Sequence, residues 1–188
     1  TPRILSDKEI NFIVDKINSI KPDGVLVGNR GLLPFVKDYQ IHLDYSFNCF
    51  NDIDISFYKG TPIISPELNL QEASALFNKK FIVLSHGDIV LMTSKQKLAA
   101  PELIDEQGRH FRVRNEGNCY QILNFKQMGL FKKVLDYKTA GIKYYFIDLS
   151  KDVNKFVRVY RNILSGEEFD DIKIKKGYTT GHFSRGAD

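Results

Sequence analysis

The sequence predicts an α/β fold in which parallel βα units form a partial or open TIM-barrel-like sheet, and three observations carry that expectation. Between positions 24 and 69, three short apolar stretches (24–28, 41–47 and 62–65) are each followed by a helix-length segment. Strands that alternate with helical segments are the pattern of a parallel sheet with its helices packed outside. The same rhythm returns at 80–85 and 142–149. The predicted carboxyl ends carry Asn29, Asn48, Ser65 and Glu67, polar residues where the ligands of such sheets bind.

Each element has its own local signal. Ser6 and Glu9 match a capping box, and Ile10, Ile13, Val14, Ile17 and Ile20 follow as one face of a helix. Residues 31–38 read as a short helix with Pro34 in its first turn, where the missing N–H does little harm. Along 41–47, Ile41, Leu43, Tyr45 and Phe47 alternate with His42, Asp44, Ser46 and Asn48, the period of a strand. Helices are expected at 51–58 and 70–78, and a fourth strand at 80–85 running into Ser85-His86-Gly87-Asp88.

From 95 to about 118 the rhythm breaks. Glu106-Gln107-Gly108 is a turn signal, and His110 to Arg114 alternate, so a β-hairpin is inserted between units of the main fold. Leu91-Met92 fits a strand or a packed turn equally. A helical stretch at 132–137 and a strand at 142–149 resume the pattern. Ser150 and Asp152 open a last helix striped by Val153, Phe156, Val157, Tyr160, Ile163 and Leu164. The stretch 177–186 reads as a loop. The expectation is one domain over 1–188. It holds five barrel-type strands where a closed barrel has eight, and a closed barrel takes about 250 residues. Unpaired edge strands invite further strands, so a homo-oligomer or pairing with a missing N-terminal half is expected.

Composition narrows the class. With 43% apolar and 27% charged residues the chain has the balance of a soluble globular domain. The net charge of +4 is mild and scattered, with Lys173, Lys175 and Lys176 near the end, so it does not declare a nucleic-acid partner. The longest apolar run, 81–84, is far short of the about 20 residues of a membrane span, and no membrane partner is expected. Cys49 and Cys119 form no CxxC pair, which suits a reducing cytoplasm better than a disulfide scaffold. The first residues lack the basic and apolar regions of a signal peptide, and the absent initiator Met fits either trimming or a longer parent chain.

The candidate chemistry lies at the predicted strand ends. Glu67 and His86 would face one mouth, where a carboxylate and an imidazole activate water or hold a metal together. The packing alternative makes Glu67 a helix cap and His86 a backbone-bonded residue. Asp44 and Asn48 on the second strand, and Asn29 after the first, are candidate substrate contacts, with Arg30 or Arg185 as the cation Asp44 would need. His182 and Arg185 sit in a glycine-flanked terminal loop, where Arg offers a fork for phosphate or carboxylate. Asp148 is read as a helix cap or a substrate contact, and Cys49 as a small buried hydrophobe. Arg109, His110, Arg112 and Arg114, with Phe111 among them, would touch RNA or protect an edge strand. No HExxH, GxSxG or Cys-His signature is present.

Seven segments, in order along nearly the whole chain, resemble the C-terminal half of the collagenase-like peptidases, peptidase family U-thirty-two. They are GVLVGNRG (24–31), DYSFNCFN (44–51), SPELN (65–69), VLSHGDIVLM (83–92), DEQGRHFRV (105–113), CYQILN (119–124) and GHFSRG (181–186). The resemblance implies a barrel-like fold whose N-terminal strands lie in a portion absent here, and a hydrolase acting on peptide bonds of a peptide or protein substrate. Relatives in that family hydroxylate tRNA and rRNA bases or ubiquinone, with an iron–sulfur cluster on four cysteines. Here only Cys119 falls at a family cysteine position, and 93–97 reads TSKQK where others would begin, so no cluster is expected on this chain alone. The cofactor is otherwise open. Two expectations follow: a peptidase with Glu67 and His86 as catalytic residues, or a non-catalytic RNA-binding or substrate-binding half of an RNA-modification protein that has lost its cluster cysteines.

Overall fold

The computed structural model describes residues 1–167 and 177–185. Lys173, Lys175, Lys176 and Gly186 lie outside the described residues. Mixed helices and strands with parallel pairing make the fold α/β.

Helix α1 (Asp7–Ile20) starts at the expected capping box, where the Ser6 backbone N–H and hydroxyl both donate to Glu9 Oε2 at 2.6 Å. Strands β1 (Gly24–Val27), β2 (Gln40–Leu43) and β3 (Thr61–Pro62) form a parallel sheet in chain order. Strands β4 (Ile82–Gly87) and β10 (Tyr144–Asp148) also pair in parallel. A single parallel bridge, Ile63 to Ile82, joins the two pairings, and Ile64 N–H donates to the Ile82 carbonyl at 3.0 Å. Alternation in β1 puts Val25 and Val27 into the core with Leu43, Val83 and Phe81. Helices α2 (Asp52–Phe57), α3 (Leu70–Ala75) and α4 (Val134–Thr139) supply Ile55, Ala73, Val134 and Tyr137 to that core.

Several boundaries differ from expectation, among them the following three. The second strand stops at Leu43, because the Asp44 carboxylate accepts the Ser46 N–H at 2.7 Å and turns 45–47 into one turn of 3-10 helix. Asn48 then takes a left-handed conformation (φ 57°) that ends the turn. The short helix around Pro34 is likewise a 3-10 turn, Arg30–Phe35, capped by Asn29. The fourth strand runs through His86 and Gly87 rather than ending before them. Those two residues pair with Gly129 and Met128 of an antiparallel strand, β9 (Gln127–Gly129), which in turn pairs with β11 (Tyr178–Thr179).

The expected hairpin is present, formed by β6 (Glu102–Ile104) and β7 (His110–Asn115). It belongs to a larger antiparallel sheet, ordered β5-β8-β7-β6, with β5 at Val90–Ser94 and β8 at Tyr120–Leu123. Leu91-Met92 is therefore strand. The last helix, α5 (Val153–Ser165), buries Phe156, Val159, Tyr160 and Ile163, while Val153 stays exposed. No helix among the described residues is long and apolar enough to cross a membrane.

Candidate functional site

Residues of the turns after β2, β3 and β4 line one cavity, and the last residue of β10 lines a second beside it. The larger, about 590 Å³, is lined by Asn48, Ser65, Glu67, Phe125, His182 and Arg185 among others. Four residues singled out in the sequence, Asn48, Glu67, His182 and Arg185, thus come together from three separate stretches of chain. Local hydrogen bonds hold those stretches in place. Ser65 N–H donates to the Cys49 carbonyl at 3.0 Å, fixing the turn before Glu67 against the turn that holds Asn48. The Leu70 N–H, first in α3, donates to the Phe183 carbonyl at 3.2 Å and ties the 181–185 loop beside Glu67. Glu67 does not cap that helix. Asn69 does, in a capping box with Glu72 whose two bonds are 2.8 Å each.

His86 is not part of this cavity, and the expected pairing with Glu67 at one mouth is corrected. Its side chain is 0% exposed, enclosed by Phe131, Phe156, Tyr160 and Tyr178. Its one hydrogen-bond partner among the described residues is the Tyr160 hydroxyl, 3.2 Å from Nδ1. That hydroxyl donates its proton to the Ser85 carbonyl at 2.8 Å and accepts the Phe131 N–H at 3.1 Å. Nδ1 must then be the donor, which leaves Nε2 a bare acceptor with no partner among the described residues. Burial lowers the imidazole pKa to about 4, so the ring is neutral near pH 7. An imidazole sealed in this way reaches no substrate.

Asn29 also has a structural task. Its carbonyl oxygen accepts the Gly31 N–H at 2.9 Å, and its amide donates to the Arg3 carbonyl at 3.0 Å. Asp44 finds its cation in Arg3, at 2.8 Å, rather than in Arg30 or Arg185. The Arg3 guanidinium lies 4.3 Å from the centre of the Tyr45 ring, and the Tyr45 hydroxyl accepts the Val90 N–H at 2.9 Å. This chain of contacts locks the turn after β2 to the start of β5.

A second cavity, about 370 Å³, shares Arg3 and Val90 with the first. Asp44, Arg114, Gln121, Cys119 and Asp148 also line it. Asp148 closes β10 and caps no helix, since α5 begins at Val153 after Asp152. Burial raises its pKa, and the nearby Asp88 and Asp44 carboxylates add to the rise, against Arg114 and Arg3. The strand-end position of Asp148 was readable from the sequence. The partners that surround it were not, because Arg114 and Gln121 arrive from the antiparallel sheet.

The basic hairpin is largely neutralised. Arg109 pairs with Asp105 at 2.6 Å, Arg112 with Asp88, and Arg114 with Glu116 at 2.6 Å, while His110 Nδ1 lies in hydrogen-bond contact with Glu102 at 3.1 Å. Gln127 Nε2 adds a bond to Asp88 at 2.9 Å, so the hairpin is fastened to the loop after β4. Both cysteines are free and buried, and burial pushes each thiol pKa up. No group of three or more His, Cys, Asp or Glu side chains among the described residues is placed to hold a metal ion.

Comparison with protein-family models, with curated proteins and with solved structures returned no match.

Proposed function

We propose that the chain is a part-barrel of the collagenase-like peptidase kind that binds a peptide in the 590 Å³ cavity and hydrolyses a peptide bond there. The observation that carries this reading is the meeting of Asn48 and Glu67, which follow the parallel strands β2 and β3, with His182 and Arg185 of the loop after β11 around one cavity. In this scheme Glu67 accepts a proton from water as its oxygen bonds to the peptide carbonyl carbon. His182 gives a proton to the departing amine as the C–N bond breaks. Arg185 and the Asn48 amide bind substrate carboxylate and carbonyl oxygens. Free buried cysteines support a reducing cytoplasm as the setting.

The part-barrel reading draws on strand order. β1, β2, β3, β4 and β10 follow one another in parallel, and Leu26, His42, Ile82, Tyr144 and Phe146 line an open hollow of about 580 Å³ beside them. Further parallel strands, from a second copy or another portion of chain, would close it. Light scattering across a concentration series tests the first source.

Cleavage of a quenched peptide library and of gelatin by the purified chain tests the hydrolase. Glu67→Gln and His182→Ala should each lose the activity, whereas His86→Phe should keep it. No cleavage by the parent, or equal cleavage by Glu67→Gln, sinks the reading.

A second reading, an RNA-binding half without catalysis, has one observation in its favour. Phe125, 40% exposed at the cavity rim, has the Arg109 guanidinium 5.4 Å and the Lys126 ammonium 5.6 Å from its ring centre. Aromatic faces flanked by cations stack unpaired bases. Filter binding of single-stranded RNA at two salt concentrations, lost in Phe125→Ala, would support it.

A further inference from the structure

We propose that the 370 Å³ cavity is a subsite for an organic cation, a guanidinium or primary ammonium on an aliphatic stem, with Asp148 as its counter-charge. It rests on the peptide reading above, in which the cation is a basic side chain of the substrate.

Most charges in the cavity are already committed. Arg3 is paired with Asp44 and lies over Tyr45. Arg114 donates to Gln121 Oε1 at 2.7 Å, pairs with Glu116 at 2.6 Å and approaches Asp88 at 3.7 Å. Asp44 further accepts the Ser46 N–H. Among these charges, the Asp148 carboxylate alone makes no side-chain hydrogen bond or ion pair with a described residue, the Arg114 and Arg3 guanidiniums acting on it only at longer range.

A half-buried carboxylate without a partner is held at a cost, and burial, with the Asp88 and Asp44 carboxylates nearby, raises its pKa. A cation delivered from outside would relieve it. The walls favour one that arrives on a stem. Leu26, Val90 and Phe146 give the cavity an apolar flank, and Asp148 gives it an anionic end. That is the distribution along a Lys or Arg side chain, whose methylenes lie on apolar surface while the head seeks charge. The volume falls within the range of small-ligand sites, about 300–1,000 Å³. Arg3 and Val90 line both cavities, so a peptide lying in the larger one would have a side chain within reach of the smaller.

The test titrates the parent chain with Nα-acetyl-arginine amide, Nα-acetyl-lysine amide and Nα-acetyl-norleucine amide, read by amide NMR shifts. The two cationic probes should move the Gln121 and Phe146 signals, and norleucine amide should not. Asp148→Asn should weaken cation binding at least tenfold, with Asp148→Glu retaining part of it. Binding should also fade on acidification, starting above the ordinary carboxylate range, because the neutral acid offers no counter-charge. The Asp148 carboxyl carbon gives a reading that needs no variant: its pKa should fall when arginine amide is bound. An unchanged pKa, equal binding of norleucine amide, or full affinity in a folded Asp148→Asn protein would overturn the subsite. Cation binding without peptide cleavage would keep it and discard the hydrolase. Cleavage without amide binding would do the reverse.

Discussion

Gly87 lies against the backbone of Asp148: a methyl group on its α-carbon would stand 2.1 Å from the Asp148 carbonyl oxygen. The residue also adopts φ +130°, a backbone region open in practice to glycine alone. Two strands approach here so that β4 can carry His86 inward while β10 delivers Asp148 to the second cavity. Gly87→Ala should therefore cost about 3 kcal/mol or more, since neither backbone has room to give. Urea denaturation checks it, and a loss under about 1 kcal/mol would show that the strands can part.

The aromatic enclosure of His86 makes stability depend on pH. Its pKa is about 4 when folded against 6.5 for the free side chain, so the unfolded chain takes up the proton first. This contribution is complete above about pH 6.5 and is lost as pH falls toward 4, amounting to about 3 kcal/mol at one pKa unit per ~1.4 kcal/mol. His86→Phe should flatten that part of the urea-midpoint profile. An identical profile in the variant would remove His86 from the account.

Arg3 and Asp44 form an ion pair with side chains 12% and 17% exposed, sheltered enough to matter. Asp44→Asn should cost about 2 kcal/mol, because Arg3 keeps its place over Tyr45 without its counter-charge. A double-mutant cycle with Arg3→Met should return a coupling of about 1 kcal/mol or more. Additive losses would mean that the pair is incidental.

Asn69 caps α3 and stands next to the residue that holds the 181–185 loop. Asn69→Ala should lower stability by about 1 kcal/mol. Hydrogen exchange at Arg185, whose N–H donates to the His182 carbonyl at 2.9 Å, should quicken with it. Unchanged exchange would separate the cap from the loop.

What the sequence makes legible follows from how local each cause is. The Ser6–Glu9 cap and the places of Asn48 and Glu67 after strands depend on short-range signals or on the general rule for parallel sheets, whereas the meeting of His182 and Arg185 with them depends on where the terminal loop folds back. Asp44 shows where that fails. Its alternation with Leu43 and Tyr45 looks like strand, yet a carboxylate two residues before an N–H bends the chain just as readily. His86 fails for a longer-range reason: Phe131, Phe156 and Tyr178 come from distant segments, and they decide whether an imidazole is a reagent or a core residue. Asp148 was ambiguous because Arg114 and Gln121 reach it from another sheet.

The single bridge between Ile63 and Ile82 has a mechanical meaning. Two parallel pairings stitched at one point among the described residues share little backbone cohesion, so their union rests on the common core of Val25, Val27, Leu43, Phe81 and Val83. The Ile64 amide, bonded across that seam, becomes its natural strain gauge. Slow exchange there records the whole assembly opening; fast exchange records a hinge.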